Sequence, residues 1–196
     1  DLFGTNVLVD AAIAGGTEID ALKLGTSGTA FTIAVGDAWT GVSAVEKITV
    51  VANTAAYSIT LAATADSVAG LTTVDLSGDN NATGANVIDV SAETTTAYTL
   101  TGSAGVDTIT GGAGADVISG GLDADLITGK AGVDNLTGGA GADTFVYAAT
   151  TDLFATATAA LVDTIDGGSE IDALKLGTTG ATFTIANTNT WLRATA

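Results

Sequence analysis

The feature that most constrains this chain is a nine-residue repeat running in one phase from Gly102 to Val146: GSAGVDTIT, GGAGADVIS, GGLDADLIT, GKAGVDNLT and GGAGADTFV. Its consensus is G-G-x-G-x-D-x-U-x, with U a large apolar residue. The sixth position is always acidic (Asp107, Asp116, Asp125, Asp134, Asp143), and the eighth is Ile109, Ile118, Ile127, Leu136 and Phe145. A unit this short cannot bury an apolar face alone, so copies must stack. The glycines permit a tight turn with exposed carbonyls. The remaining residues, about three, suit a short strand whose side chains alternate faces. The eighth residue then points inward, and Thr108, Thr110, Ser119, Thr128 and Thr137 point outward. The fold class expected is all-β, a parallel β-roll or β-solenoid flanked by further short strands.

Two units make a coil of eighteen, so alternate aspartates stack in columns. Asp107, Asp125 and Asp143 form one column, and Asp116 and Asp134 the other. Neighbours in a column lie about 4.8 Å apart, a spacing at which bare carboxylates repel. A hard divalent cation between coils removes that repulsion. Calcium takes six or more oxygens in flexible geometry, whereas magnesium demands a strict octahedron. The metal-ligating set expected is therefore the five aspartates with the turn carbonyls of Gly102, Gly105, Gly111, Gly114, Gly120, Gly129, Gly132, Gly138 and Gly141, and with Asp123. Adjacent pairs within the columns give three complete sites.

These five copies resemble the repeats-in-toxin family, and the resemblance covers Gly102 to Val146. It implies a parallel β-roll, bound Ca2+, calcium-triggered folding and export by type I secretion. Ser103 and Lys130 depart from the pattern at the second glycine, and Asp123 at the fourth-position glycine. Asp123 either adds a ligand or strains its turn, and Lys130 weakens calcium at the Asp134 turn. The family's usual flank after the roll is resembled by Asp163-Thr164-Ile165 with Asp172-Ala173-Leu174.

A second, longer period is also present. GGTEIDALKLGTSGTAFTIAVGDAW, Gly15 to Trp39, returns as GGSEIDALKLGTTGATFTIANTNTW, Gly167 to Trp191. A piece of a tandem array, or the end of one, is expected. Within both copies G-G-x-E-x-D-x-L-K is a degenerate nonapeptide, which places Asp20 and Asp172 in the ligand slot; an ordinary polar turn is the alternative. The recurring Trp39 and Trp191 are expected to pack in a core rather than bind sugar. Between Val45 and Leu100 the segments EKITVV, AYSITLA, TVDLSG, NVIDVSA and AYTLTG alternate like strands. The domain reading is 1–44 as a flank opening the long repeat, 45–101 as a strand-rich extension of the solenoid, 102–146 as the calcium-binding roll, and 147–196 as a flank opening the second copy. An independent β-sandwich is the rival for the second of these. Asp79, Asn80 and Asn81 are expected to form a plain polar turn.

Composition narrows the function. The chain has no Cys, His, Met or Pro, so thiol nucleophiles, imidazole bases and the usual zinc ligands are missing. No enzyme is expected within it. A net charge of −17, from 22 acidic and 5 basic residues, disfavours nucleic acid and anionic membranes and favours cations. Hydrophobic residues make up 46% of the chain, more than a disordered acidic segment would hold. The uncharged stretch Ile48 to Ala65 is too rich in Thr, Asn and Ser for a membrane span. No amino-terminal secretory leader is read, in keeping with type I export. The first functional reading is a bacterial cell-surface or extracellular structural protein that associates with itself into a surface layer or filament. Its rivals are the C-terminal secretion and folding module of a larger enzyme or toxin, and an adhesin stalk.

Overall fold

The computed structural model describes residues 13–14, 19, 21–24, 31–33, 42–43, 45–51, 56–61, 70–153 and 162–177. Short strands alternate between two parallel sheets. One contains β2 (Ala21–Leu24), β5 (Lys47–Val50), β7 (Thr73–Asp75), β9 (Thr99–Thr101), β11 (Val117–Leu122), β13 (Asn135–Ala140) and β15 (Thr164–Ser169), stacked in that order. The other contains β3 (Phe31–Ile33), β6 (Tyr57–Thr60), β8 (Asn86–Asp89), β10 (Asp107–Thr110), β12 (Leu126–Thr128), β14 (Thr144–Tyr147) and β16 (Ala173–Leu176). A separate pair joins β1 (Ile13–Ala14) to β4 (Val42–Ser43), also in parallel. A single helical turn, α1 (Thr150–Leu153), follows β14. Parallel neighbours need a crossover, and here the opposite strand of each coil supplies it. The result is a β-solenoid, as the nonapeptide period requires.

Register confirms the eighteen-residue coil: Ile109 pairs with Ile127, and Ile118 with Leu136. The stack extends beyond the nonapeptides in both directions. Leu22, Ile48, Val74, Leu100, Ile118, Leu136 and Ile165 align through one sheet, and Ile59, Ile88, Ile109, Ile127, Phe145 and Leu174 through the other. These side chains meet between the sheets in one core, with Ile165 and Leu174 only partly covered at its end. Thr108, Thr110, Ser119, Thr128 and Thr137, on the other faces of their strands, are partly exposed.

The two halves of the stack fill the same positions with different chemistry. Two residues after each core residue, the amino-terminal coils carry Leu24, Val50, Leu61, Leu76 and Val90, all buried. The equivalent positions of the nonapeptides are Gly102, Gly111, Gly120, Gly129 and Gly138. Two residues before the core residue stand buried Tyr57, Asn86 and Tyr98 in the amino-terminal coils, and the repeat aspartates thereafter. Large side chains thus fill the interior in the amino-terminal coils, and within the nonapeptides glycines make room for the carboxylates.

Candidate metal centre

The sixth-position aspartates are buried: Asp107, Asp116, Asp125, Asp134 and Asp143 are 1–2% exposed. Within the repeats successive coils are tied by the same contact, a carboxylate Oδ1 accepting the backbone N–H of the column residue one coil earlier. Asp125 accepts from Asp107, Asp143 from Asp125 and Asp134 from Asp116, each at 2.8 Å. Asp116 accepts from Tyr98 at 2.8 Å and Asn86 from Tyr57 at 2.7 Å, so an uncharged amide does the same work in the earlier coil.

The second carboxylate oxygen divides the turns into two classes. In the first two turns it is satisfied locally: Asp107 Oδ2 accepts the Ser103 N–H and hydroxyl, and Asp116 Oδ2 accepts the Gly112 N–H at 2.8 Å. In the next three, Oδ2 of Asp125, Asp134 and Asp143 is buried with no hydrogen-bond partner among the described residues. Backbone conformation accounts for the change. The later turns carry positive φ at their second and fourth positions: Gly121 and Asp123, Lys130 and Gly132, Gly139 and Gly141, with Gly168 and Glu170 continuing the series. None of the residues 102–116 has positive φ. The left-handed turns leave those carboxylates without the local N–H bond made in the first two. Asp123 and Lys130 hold that conformation despite their Cβ atoms, at φ 62° and 70°. The Lys130 ammonium donates to the Ser91 carbonyl at 3.1 Å, a backbone oxygen rather than a repeat aspartate.

An uncompensated buried carboxylate is costly, and the titration of these groups reflects it. Burial pushes Asp125 up to about 7, against a donated Asp107 N–H and with the Asp107 and Asp143 charges adding to the rise. Asp134 is likewise pushed to about 7, first by burial and then by the charges of Asp163, Asp116 and Asp152. Burial also raises Asp107, Asp116 and Asp143.

The oxygens around these groups fit a hard cation. A Cβ on Gly120 would meet both Asp125 Oδ2 and the Gly138 carbonyl, and one on Gly138 would meet Asp143 Oδ2 and the Gly167 carbonyl. One carboxylate oxygen and one carbonyl from the next coil therefore converge at each of these glycines. Among the described residues no three acidic side chains gather at one point. An ion held here takes most of its oxygens from the backbone, which suits calcium's tolerance of carbonyl ligands.

Both columns run past the nonapeptides. Asp143 donates its N–H to Asp172 Oδ1 at 3.0 Å, so Asp172 continues the column of Asp107, Asp125 and Asp143. Asp20, Trp39 and Trp191 lie outside the described residues. Asp163 was not among the expected ligands, yet it continues the other column, accepting the Asp134 N–H at 2.8 Å and the Tyr147 hydroxyl at 2.8 Å. Burial raises both partners, Asp163 as a carboxyl and Tyr147 as a phenol. The signal was present in Asp163-Thr164-Ile165, which repeats the D-x-U core of the unit. The spacing hid it: Asp134 to Asp163 and Asp143 to Asp172 are each 29 residues, one coil plus an eleven-residue insertion. In the Asp79–Asn81 turn, Asp79 is buried and accepts from Asn86 Nδ2 at 3.4 Å, and Asn86 donates to Ser103 Oγ at 2.8 Å.

Comparison with known families matches residues 99–127 and 120–153 to the family described as RTX calcium-binding nonapeptide repeat (4 copies). No curated protein and no solved structure matches the chain. Repeats of this family bind Ca2+, serve structural roles and are typical of extracellular bacterial proteins. Among the described residues no helix is long and apolar enough to cross a membrane.

Proposed function

Residues 99–153 belong to the RTX calcium-binding nonapeptide-repeat family, and from that premise we propose that this protein is a calcium-dependent extracellular structural element that self-assembles into a surface layer or filament. The observation that carries the calcium half of the reading is the set of three buried carboxylate oxygens, on Asp125, Asp134 and Asp143, that no donor among the described residues satisfies. In this reading Asp125 with the Gly138 carbonyl, Asp143 with the Gly167 carbonyl, and Asp134 hold the ions. Asp107 and Asp116 already have protein partners for both oxygens and need none. Bound calcium supplies positive charge where desolvated carboxylates stack, and folding of the carboxy-terminal coils follows from it. In a cytosol poor in free calcium those coils stay open, which suits export in an unfolded state.

The self-assembly half is supported by the recurrence of the long unit and by β15 and β16, which end the two sheets among the described residues and are templates for further pairing. The test is to image the protein at millimolar calcium and again after adding a chelator. Assemblies that form with calcium and disperse without it are the expected result. Assemblies indifferent to the chelator overturn the calcium dependence. A monodisperse protein that folds with calcium but never assembles overturns the structural role and leaves the secretion and folding module.

A further inference from the structure

The identical sequence Ala-Leu-Lys-Leu forms a strand near each end of the described solenoid, as β2 and as β16. The two copies lie in opposite sheets. Strands alternate sheets along the chain through β2, β3 and β5 to β16, so the step from one copy to the next contains thirteen half-coils. A repeat with an odd number of half-coils returns to its starting sequence on the other side of the solenoid.

The two copies also use opposite edges. As β16, the strand pairs in parallel with the preceding β14, with the Ala173 N–H on the Asp143 carbonyl at 2.8 Å and the Gly177 N–H on the Tyr147 carbonyl at 2.7 Å. As β2, it pairs in parallel with the following β5, and the Leu24 carbonyl accepts the Val51 N–H at 3.3 Å. Leu24 corresponds to Leu176, which lies between the residues that bond backward. Alternate residues of a strand address alternate edges, so one strand can make both sets of bonds at once. The neighbouring strand behaves the same way. Ile13 of β1 is the counterpart of Ile165 in β15; β1 pairs forward with β4, and β15 pairs backward with β13. Side-chain cover agrees. Leu22 and Leu24, with β5 beside them, are 9% and 1% exposed, whereas Leu174 and Leu176 remain only partly buried.

We propose that β15 and β16 are the joining surface for a further copy of the long repeat, which continues the sheet of β16 through its counterparts of β5 and β7 and enters rotated by half a turn about the solenoid axis. Its counterparts of β4 and β5 pair with β15 and β16, which end the two sheets among the described residues. Six and a half coils at a strand spacing of about 4.8 Å give an axial rise of about 31 Å per repeat. Any surface feature then appears on alternate sides in successive repeats, such as the exposed Val117, Leu122 and Val133. A tandem array is thus a rod with two equivalent sides rather than a sheet with one distinct face. The inference rests on strand pairing alone and stands whether or not separate chains assemble.

The test uses the chain extended by one full unit, residues 1–176 followed directly by 25–196, in calcium. Small-angle scattering is expected to show one rigid rod lengthened by about 31 Å. Because the chain lacks cysteine, V117C in both units carries spin labels whose separation reads the half-turn, with labels on opposite faces. Hydrogen exchange adds a local readout: the second-unit amide equivalent to Val51 becomes protected by the Leu176 carbonyl. Two bodies on a hinge, labels on the same face, or an extended chain with less β signal per residue than the original each overturn the proposal.

Discussion

Replacing Asp125 with Asn separates the two roles its carboxylate plays, and the two effects have opposite signs. Oδ1 accepts the Asp107 N–H at 2.8 Å, a bond an asparagine oxygen can keep, as Asn86 does with Tyr57 at 2.7 Å. Oδ2 has no partner among the described residues and carries the unfavourable charge. Burial pushes this carboxyl from its ordinary 3.8 to about 7, so holding it ionised in the metal-free fold at pH 8 costs on the order of 4 kcal/mol. A neutral acceptor is a weaker partner for an N–H than a charged one, which offsets about 1–2 kcal/mol. Asp125→Asn is therefore expected to stabilise the metal-free protein by about 2–3 kcal/mol at pH 8. In urea, with a slope of about 1–3 kcal/mol/M, the midpoint rises by about 1 M or more. In calcium the order reverses, because an anionic ligand has been lost, and the calcium-induced gain in β signal shrinks. The assay is circular dichroism during urea titration, with chelator and with millimolar calcium. A variant less stable than the parent in chelator, or one with an unchanged calcium response, refutes the assignment of Oδ2 as an uncompensated charge awaiting a cation.

Three further outcomes are expected. Asp125 and Asp134 hold protons more tightly folded than unfolded, with ordinary values of 3.8 raised to about 7; the metal-free protein is most stable below about pH 4 and loses that stability as pH rises through about 7. Thermal melts in chelator between pH 4 and 8 check this, and a melting temperature rising with pH in that window contradicts it. Leu136→Ala empties a fully buried position in the shared core and should cost about 2–5 kcal/mol with or without calcium, read from urea midpoints; a loss confined to calcium would place Leu136 outside a common core. Gly139→Ala puts a Cβ against the Gly121 carbonyl at φ +121°, so calcium should no longer order the Asp143 turn. Hydrogen exchange across 138–147 measures that, and undiminished protection would show that the turn accommodates a side chain.

The nonapeptide phase was enough to set the coil length, the two aspartate columns and the inward Ile, Leu and Phe, because period-two strands and glycine turns leave one way to stack identical units. The strands of 47–101 were legible from their alternation. Their continuity with the solenoid was the expectation, with an independent β-sandwich as the rival, and the register that joins them to both repeat sheets came from the packed strands. Asp163 was obscured in the same way by the eleven-residue insertion before it. The division of the aspartates could not be read at all. Asp107, Asp116, Asp125, Asp134 and Asp143 hold equivalent places in the repeat, yet only the last three have a carboxylate oxygen unsatisfied. Whether a turn's own N–H meets its acid depends on the sign of φ at the second and fourth positions. Lys130 and Asp123 take positive φ without being glycine, while Gly105, Gly112 and Gly114 do not take it. Sequence alone specified the period and the ligand chemistry, since both follow from residue types at fixed spacing. Turn conformation and the side on which each rung falls were decided by the packed coils, because a backbone torsion and a sheet assignment exist only relative to the neighbours above and below.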